Sequence, residues 1–87
     1  MNYRLSQHAR EEAARRQIPL TLIDVVMQNP QQIVPAYGGA HAYQSQLNFG
    51  AGKIYLLRVI VDDTVNPAQV VTVYRTSKIG KYWRAIP

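Results

Sequence analysis

The run IYLLRVIV, Ile54 to Val61, is apolar on both sides of its alternation except at Arg58. A strand with two apolar faces belongs inside its sheet with both faces covered, because either face left in water would expose a continuous hydrophobic row. The run is therefore expected to be central, with strands on each flank. Arg58 becomes the anomaly, since a guanidinium among buried aliphatics has to be paired or has to line a cleft. Both readings stay open here: a structural pair with Glu11, Glu12 or Asp24, or a cation at the base of a binding site.

The flanks supply the partners. Gln32 to Pro35 and Ala40 to Leu47 read as strands joined across Gly38-Gly39, the NFGAGK stretch turns the chain into Ile54, and Val70 to Arg75 follows the loop DDTVNPAQ. Tyr3 to Leu5 can form a short first strand. Two helices precede the main strands. Ser6 caps Gln7 to Gln17, whose apolar face of Leu5, Ala9, Ala13 and Ala14 is built from small residues and must lie close to a sheet to bury much. Thr21 is placed to cap a second helix with Leu22, Ile23, Val26 and Met27 at helical spacing, ending at Asn29-Pro30. The expectation is an α+β fold in which two N-terminal helices pack on a twisted, mostly antiparallel sheet of three or four strands, in a single domain over residues 1–87.

Charge narrows the function. Residues 1–63 hold six Lys/Arg against five acids, while residues 64–87 hold Arg75, Lys78, Lys81 and Arg84 with no acid. Such a basic end points to an anionic partner, a phosphate backbone or an acidic protein, or serves only solubility. No apolar stretch is long enough to span a membrane, and the absence of cysteine with no apolar leader points to the cytoplasm. Two histidines and no metal-ligand spacing argue against a metal site, and FGAG lacks the residues of a phosphate loop. No cofactor is expected.

What remains is chemistry by Arg, Lys, Tyr and His, a set suited to RNA cleavage by internal transfer. That reaction needs a base for the 2′-hydroxyl, cations for the phosphate oxygens and an acid for the leaving 5′-oxygen. By simple alternation Val71, Val73 and Arg75 face one way and Val70, Thr72 and Tyr74 the other, so Tyr74 and Arg75 share a site only if the strand ends or bends there. Thr76-Ser77 can cap a turn leading to Lys81, Tyr82 and Trp83. Tyr74 and Trp83 read equally as core aromatics or as site residues. His8, in the first helical turn, is a surface histidine or a proton-transfer group, and His41 a weaker candidate.

The segments SQHAREEAARRQIPL and VVMQNPQQIV, with the terminal strand VVTVY followed by Arg75, Thr76, Ser77 and Lys78, resemble a small bacterial domain family of unknown function grouped with RelE/ParE-like toxins and, more widely, with barnase-like metal-independent ribonucleases. The resemblance implies a curved antiparallel sheet whose open face binds RNA and is covered by a cognate antitoxin. It carries a functional role onto His8, Arg16, Thr72, Tyr74 and Arg75. Charge and position add Lys78 and Lys81 for the RNA backbone, and Tyr82 or Trp83 for stacking on a base. The expected catalytic set is thus His8, Arg58, Tyr74 and Arg75, in a metal-independent endoribonuclease toxin. The alternative is a non-catalytic RNA- or protein-binding module.

Overall fold

The computed structural model describes residues 1–85, in the order β1 (Tyr3–Leu5), α1 (Gln7–Arg15), α2 (Leu20–Gln28), β2 (Gln32–Pro35), β3 (His41–Asn48), β4 (Ile54–Asp62), β5 (Ala68–Thr76) and α3 (Ile79–Tyr82). The strands form one sheet in the order β1-β5-β4-β3-β2, so the IYLLRVIV run is the middle strand of five. β2, β3, β4 and β5 pair antiparallel in succession, and β1 adds to the edge parallel to β5, with Leu5 opposite Val70.

This corrects the expected three- or four-stranded antiparallel sheet under two helices. The sheet is five-stranded and mixed, and a third, four-residue helix follows it. The α+β class stands. The parallel pair joins residues at opposite ends of the chain, a non-local contact that three residues of strand cannot advertise through periodicity. It also obliges α1 and the rest of the sheet to lie between the two paired segments in sequence.

Both main helices cover one face, α1 over β5 and α2 over β3 and β4. Ser6 caps α1 by accepting from the Ala9 amide at 3.0 Å, while its hydroxyl donates to the Val71 carbonyl at 3.0 Å, so one side chain both starts the helix and ties it to β5. Ala9 and Ala13 are buried, whereas Ala14, expected on the same face, is exposed. The absence of bulk at Ala9 and Ala13 brings the α1 backbone close to β5. α1 ends at Arg15 with Arg16 as its cap, two residues of helix earlier than expected, and Gln17 beyond it takes a left-handed φ of 55°.

α2 uses larger side chains, Ile23, Val26 and Met27, each of which contributes about 1.5–3 kcal/mol by leaving water. Its cap differs from expectation. Pro19 occupies the N-cap position with no side-chain bond, and Thr21 lies inside the helix. These residues join Tyr43, Leu57, Val59, Val61, Val70 and Val73 in the main core.

β5 breaks the simple alternation. Ile60 pairs with Thr72 but Val61 pairs with Val70, leaving Val71 as an extra residue in a bulge. Val70 and Val73 consequently both face the helices, and the expected grouping of Val71 with Val73 does not hold. Beyond the bulge, Tyr74 lies opposite Arg58 and Arg75 opposite Leu57.

The close seat of α1 is testable. Ala9→Leu should destabilise the protein by about 1–3 kcal/mol through overpacking against β5, while Ala14→Leu, on the exposed side, should stay within about 0.5 kcal/mol of the parent. Urea unfolding of the two variants beside the parent provides the measurement.

Candidate functional site: a neutral row around a buried arginine

The face of the sheet opposite α1 and α2 carries a row of four polar side chains, one from each of four adjacent strands. Gln32, Gln44, Arg58 and Tyr74 are direct cross-strand partners, and pleating puts all four on the same side. They are hydrogen-bonded in sequence. Gln44 donates through Nε2 to Gln32 Oε1 at 2.8 Å, Arg58 donates through Nε to Gln44 Oε1 at 2.8 Å, and Arg58 Nη1 donates to the Tyr74 hydroxyl at 2.6 Å.

Arg58 is only 8% exposed and Gln44 is fully buried. Among the described residues no carboxylate pairs with Arg58, so none of Glu11, Glu12 and Asp24 is its partner. Glu12 instead binds Arg15 and Arg16, and Asp24 accepts from Tyr3 at 2.7 Å. The guanidinium keeps its charge through neutral acceptors and two aromatic faces, lying 4.4 Å from the centre of the Tyr82 ring and 5.7 Å from that of Tyr74.

Tyr82 arrives from the segment after β5. Thr76 Oγ1 accepts from the Lys78 amide at 3.0 Å and turns the chain, as its capping chemistry leads one to expect. The chain then crosses the sheet. The Tyr82 carbonyl accepts from Gln44 Nε2 at 3.2 Å, and the Arg84 backbone makes a two-way pair with the Gln32 amide at 2.6 and 3.1 Å. The two glutamines that complete the row therefore also fasten this strap. Leu56 and Ala42 are fully buried on this face although neither long helix reaches it, so the central strand is covered on both sides.

Beside the strap the face opens into a groove of about 930 Å³. Its walls are the β2–β3 turn from Pro35 to Ala40, Arg58, Ile60 and Asp62 of β4, Thr64 beyond it, and Val71, Thr72 and Tyr74 of β5. The Tyr82 phenol is held below its ordinary pKa, first by hydrogen bonding from Lys81, whose ammonium lies 5.2 Å from the ring centre, and further by Tyr74 and Arg58. The arrangement offers a cation in the groove wall, with the hydroxyls of Thr72 and Tyr74 beside it and the Tyr82 ring against the guanidinium.

The expected site residues divide between the two faces. Arg58, Thr72, Tyr74 and Tyr82 come together, with Lys78 and Lys81 exposed on the strap and Trp83 half-buried in it. Arg75 does not join them. It faces the helix side and stacks between Phe49 and Tyr55, 4.7 and 4.9 Å from their ring centres, so a single site containing Tyr74 and Arg75 is ruled out by the pleat. His8 is exposed on α1, and Arg16 is bound to Glu12 at 3.0 Å at the end of that helix, both across the sheet from Arg58. His41 also lies on the helix side, 3.1 Å from Asp63, which accepts from the Tyr43 hydroxyl at 3.0 Å.

Gln44 and Gln32 were missed because glutamine in a strand reads as surface. The available signal was the opposition of a polar position in HAYQSQLN to the arginine of IYLLRVIV, which becomes visible once the hairpin register is counted. Among the described residues, no helix is long and apolar enough to cross a membrane, and no group of three His, Cys, Asp or Glu could hold a metal ion.

The site thus defines a small α+β domain with a cation-based groove on one face of its sheet. The chain belongs to the DUF4258 family, a domain of unknown function, whose pattern matches residues 5–75. No curated protein and no solved structure matches it.

Two outcomes check this anatomy. Gln44→Leu leaves Arg58 Nε without its buried acceptor and should cost about 2–3 kcal/mol in a denaturant titration, more than Gln32→Ala, which only loosens the strap. Glu12, lowered by Arg15 and then Arg16 from 4.5 to about 2, stabilises the fold above its ordinary value, and that contribution is lost as pH falls toward about 2. The melting temperature of Glu12→Gln should accordingly vary less over that acid range than that of the parent.

Proposed function

We propose that this protein is a metal-independent endoribonuclease, the toxin of a cytoplasmic toxin–antitoxin pair, with the scissile phosphate bound at Arg58. The observation that carries the reading is the buried guanidinium with no carboxylate partner among the described residues, set in the wall of an open groove. A structural arginine of this burial is ordinarily neutralised. Here the charge is retained and faces a space that an anion can enter, and guanidinium geometry suits phosphate oxygens. The resemblance of the sequence to RelE/ParE-like toxins supports the same reading.

The reaction follows from the groups around Arg58. Tyr82, lowered by Lys81, removes the 2′-hydroxyl proton. The 2′-oxygen attacks phosphorus and the bond to the 5′-oxygen breaks, with Tyr74 giving its proton to that leaving oxygen. The products are a 2′,3′-cyclic phosphate and a 5′-hydroxyl end. Arg58 stabilises the charge that gathers on the phosphate oxygens, while Lys78 and Lys81 hold the flanking backbone. His8, Arg16 and Arg75 have no part in this step. An antitoxin would act by covering the groove. A binding module that holds RNA without cutting it is the second reading, favoured by one observation: neither histidine lies on the groove face.

Incubated with single-stranded RNA in the presence of chelator, the purified protein should yield cyclic phosphate ends. Tyr74→Phe should lower kcat/KM by about 10²–10⁴-fold, and Arg58→Lys should also be impaired, while Arg75→Met and His8→Ala should match the parent. Activity should rise with pH as Tyr82 ionises, because the base form is the deprotonated phenol. Cleavage that survives in Tyr74→Phe and Arg58→Lys, or that fails equally in Arg75→Met, overturns the assignment. Binding without any scission selects the second reading.

A further inference from the structure

We propose that the same groove contains a base subsite that stacks a nucleobase on Tyr37 and reads an exocyclic amine with Asp62. The proposal rests on Arg58 being the phosphate site, and concerns the opposite end of the groove.

Tyr37 sits at the tip of the β2–β3 turn and is 96% exposed, the most exposed large apolar side chain in the described chain. The turn is held open by Gly38 and Gly39, with φ of 69° and 82°, a region that favours glycine. A tyrosine ring left in water on the wall of a groove, with open space around the neighbouring glycines, is a platform on which a base can stack.

Asp62 completes the recognition. It lies four residues beyond Arg58 on β4, on the same side of the pleat, roughly 13 Å along the strand. Thr64 donates to Asp62 Oδ1 from its amide at 3.0 Å and from its hydroxyl at 2.6 Å, which orients the carboxylate and lowers its pKa. Oδ2 has no hydrogen-bond partner among the described residues and is free to accept. The adjacent Asp63 points to the other face and is occupied by His41 and Tyr43, so the two consecutive aspartates are used for different purposes.

A carboxylate can only accept. Adenine and cytosine present an exocyclic amine as donor, while the corresponding position of uracil is a carbonyl oxygen, which the carboxylate repels. The groove should therefore favour amine-bearing bases over uracil, and the discrimination should reside in Asp62, with the stacking strength residing in Tyr37.

The test is fluorescence anisotropy with short 2′-O-methyl homopolymers of A, C and U, which the proposed reaction cannot cleave. The parent should bind the A and C strands about tenfold tighter than the U strand. Asp62→Asn, which retains the oxygen that holds Thr64, should remove most of that preference, while Tyr37→Ala should weaken all three by about 5–100-fold and leave their ratio in place. Equal affinity for all three strands in the parent, or an unchanged ratio in Asp62→Asn, overturns the base subsite while leaving the phosphate site intact. If the parent binds none of the strands, the reading of Arg58 falls and the subsite with it.

Discussion

The arrangement on the open face depends on a guanidinium solvated by neutral groups. Burying a charge costs several kcal/mol unless its surroundings replace water, and around Arg58 the replacement comes from a glutamine oxygen, a phenol oxygen and two aromatic faces. None of these cancels the charge. Gln44 has to present its oxygen to Arg58, which commits its amide nitrogen to Gln32 and to the Tyr82 carbonyl. One arginine thereby sets the orientation of two glutamines, the mutual register of four strands and the line along which the last segment crosses the sheet. The same lack of an acid among the described residues leaves a positive centre in the wall of the groove.

The sheet keeps two cation–aromatic assemblies apart. On one side Arg58 lies among Tyr74 and Tyr82, and on the other Arg75 lies against Phe49 and Tyr55, whose rings meet edge to face. In sequence Tyr74 and Arg75 are adjacent and look like parts of one site. Their separation follows from the pleat, which continues to Thr76 instead of ending before Arg75. The sequence was most legible where a side-chain pattern was long. IYLLRVIV announced a central strand, Ile23, Val26 and Met27 announced α2, and the glycines at 38 and 39 announced the hairpin. It was least legible where structure comes from distant pairings. β1 gains its place only by finding β5, and the neutral solvation of Arg58 is evident only when three strands are aligned. A carboxylate partner was the natural expectation because acids are the usual companions of buried arginines, and nothing local to Arg58 distinguishes the alternative.

The family pattern ends at residue 75, so Arg58, Thr72, Tyr74 and the groove walls from Pro35 to Asp62 lie within it, while Lys81 and Tyr82 lie beyond. The portion that carries Arg58 and the portion that carries Tyr82 are thus physically separable. The first is embedded in the sheet, with its positions fixed by hydrogen-bond register. The second is a strap of few residues, held largely through its own backbone on two glutamine amides, so its side chains can change without disturbing what fastens it.

The extra residue at Val71 has a consequence for how this domain can vary. Upstream of it, Val70 belongs to the helix-side core; downstream, Val73 belongs to that same core and Tyr74 to the groove. The bulge acts as a phase shifter between the hydrophobic interior and the polar face, so the two halves of β5 keep their assignments only while the count between them is unchanged. Chain length at this point is under tighter control than chain chemistry: many side chains could stand at position 71, which is exposed, but losing the position itself would exchange the inside of the strand for its outside.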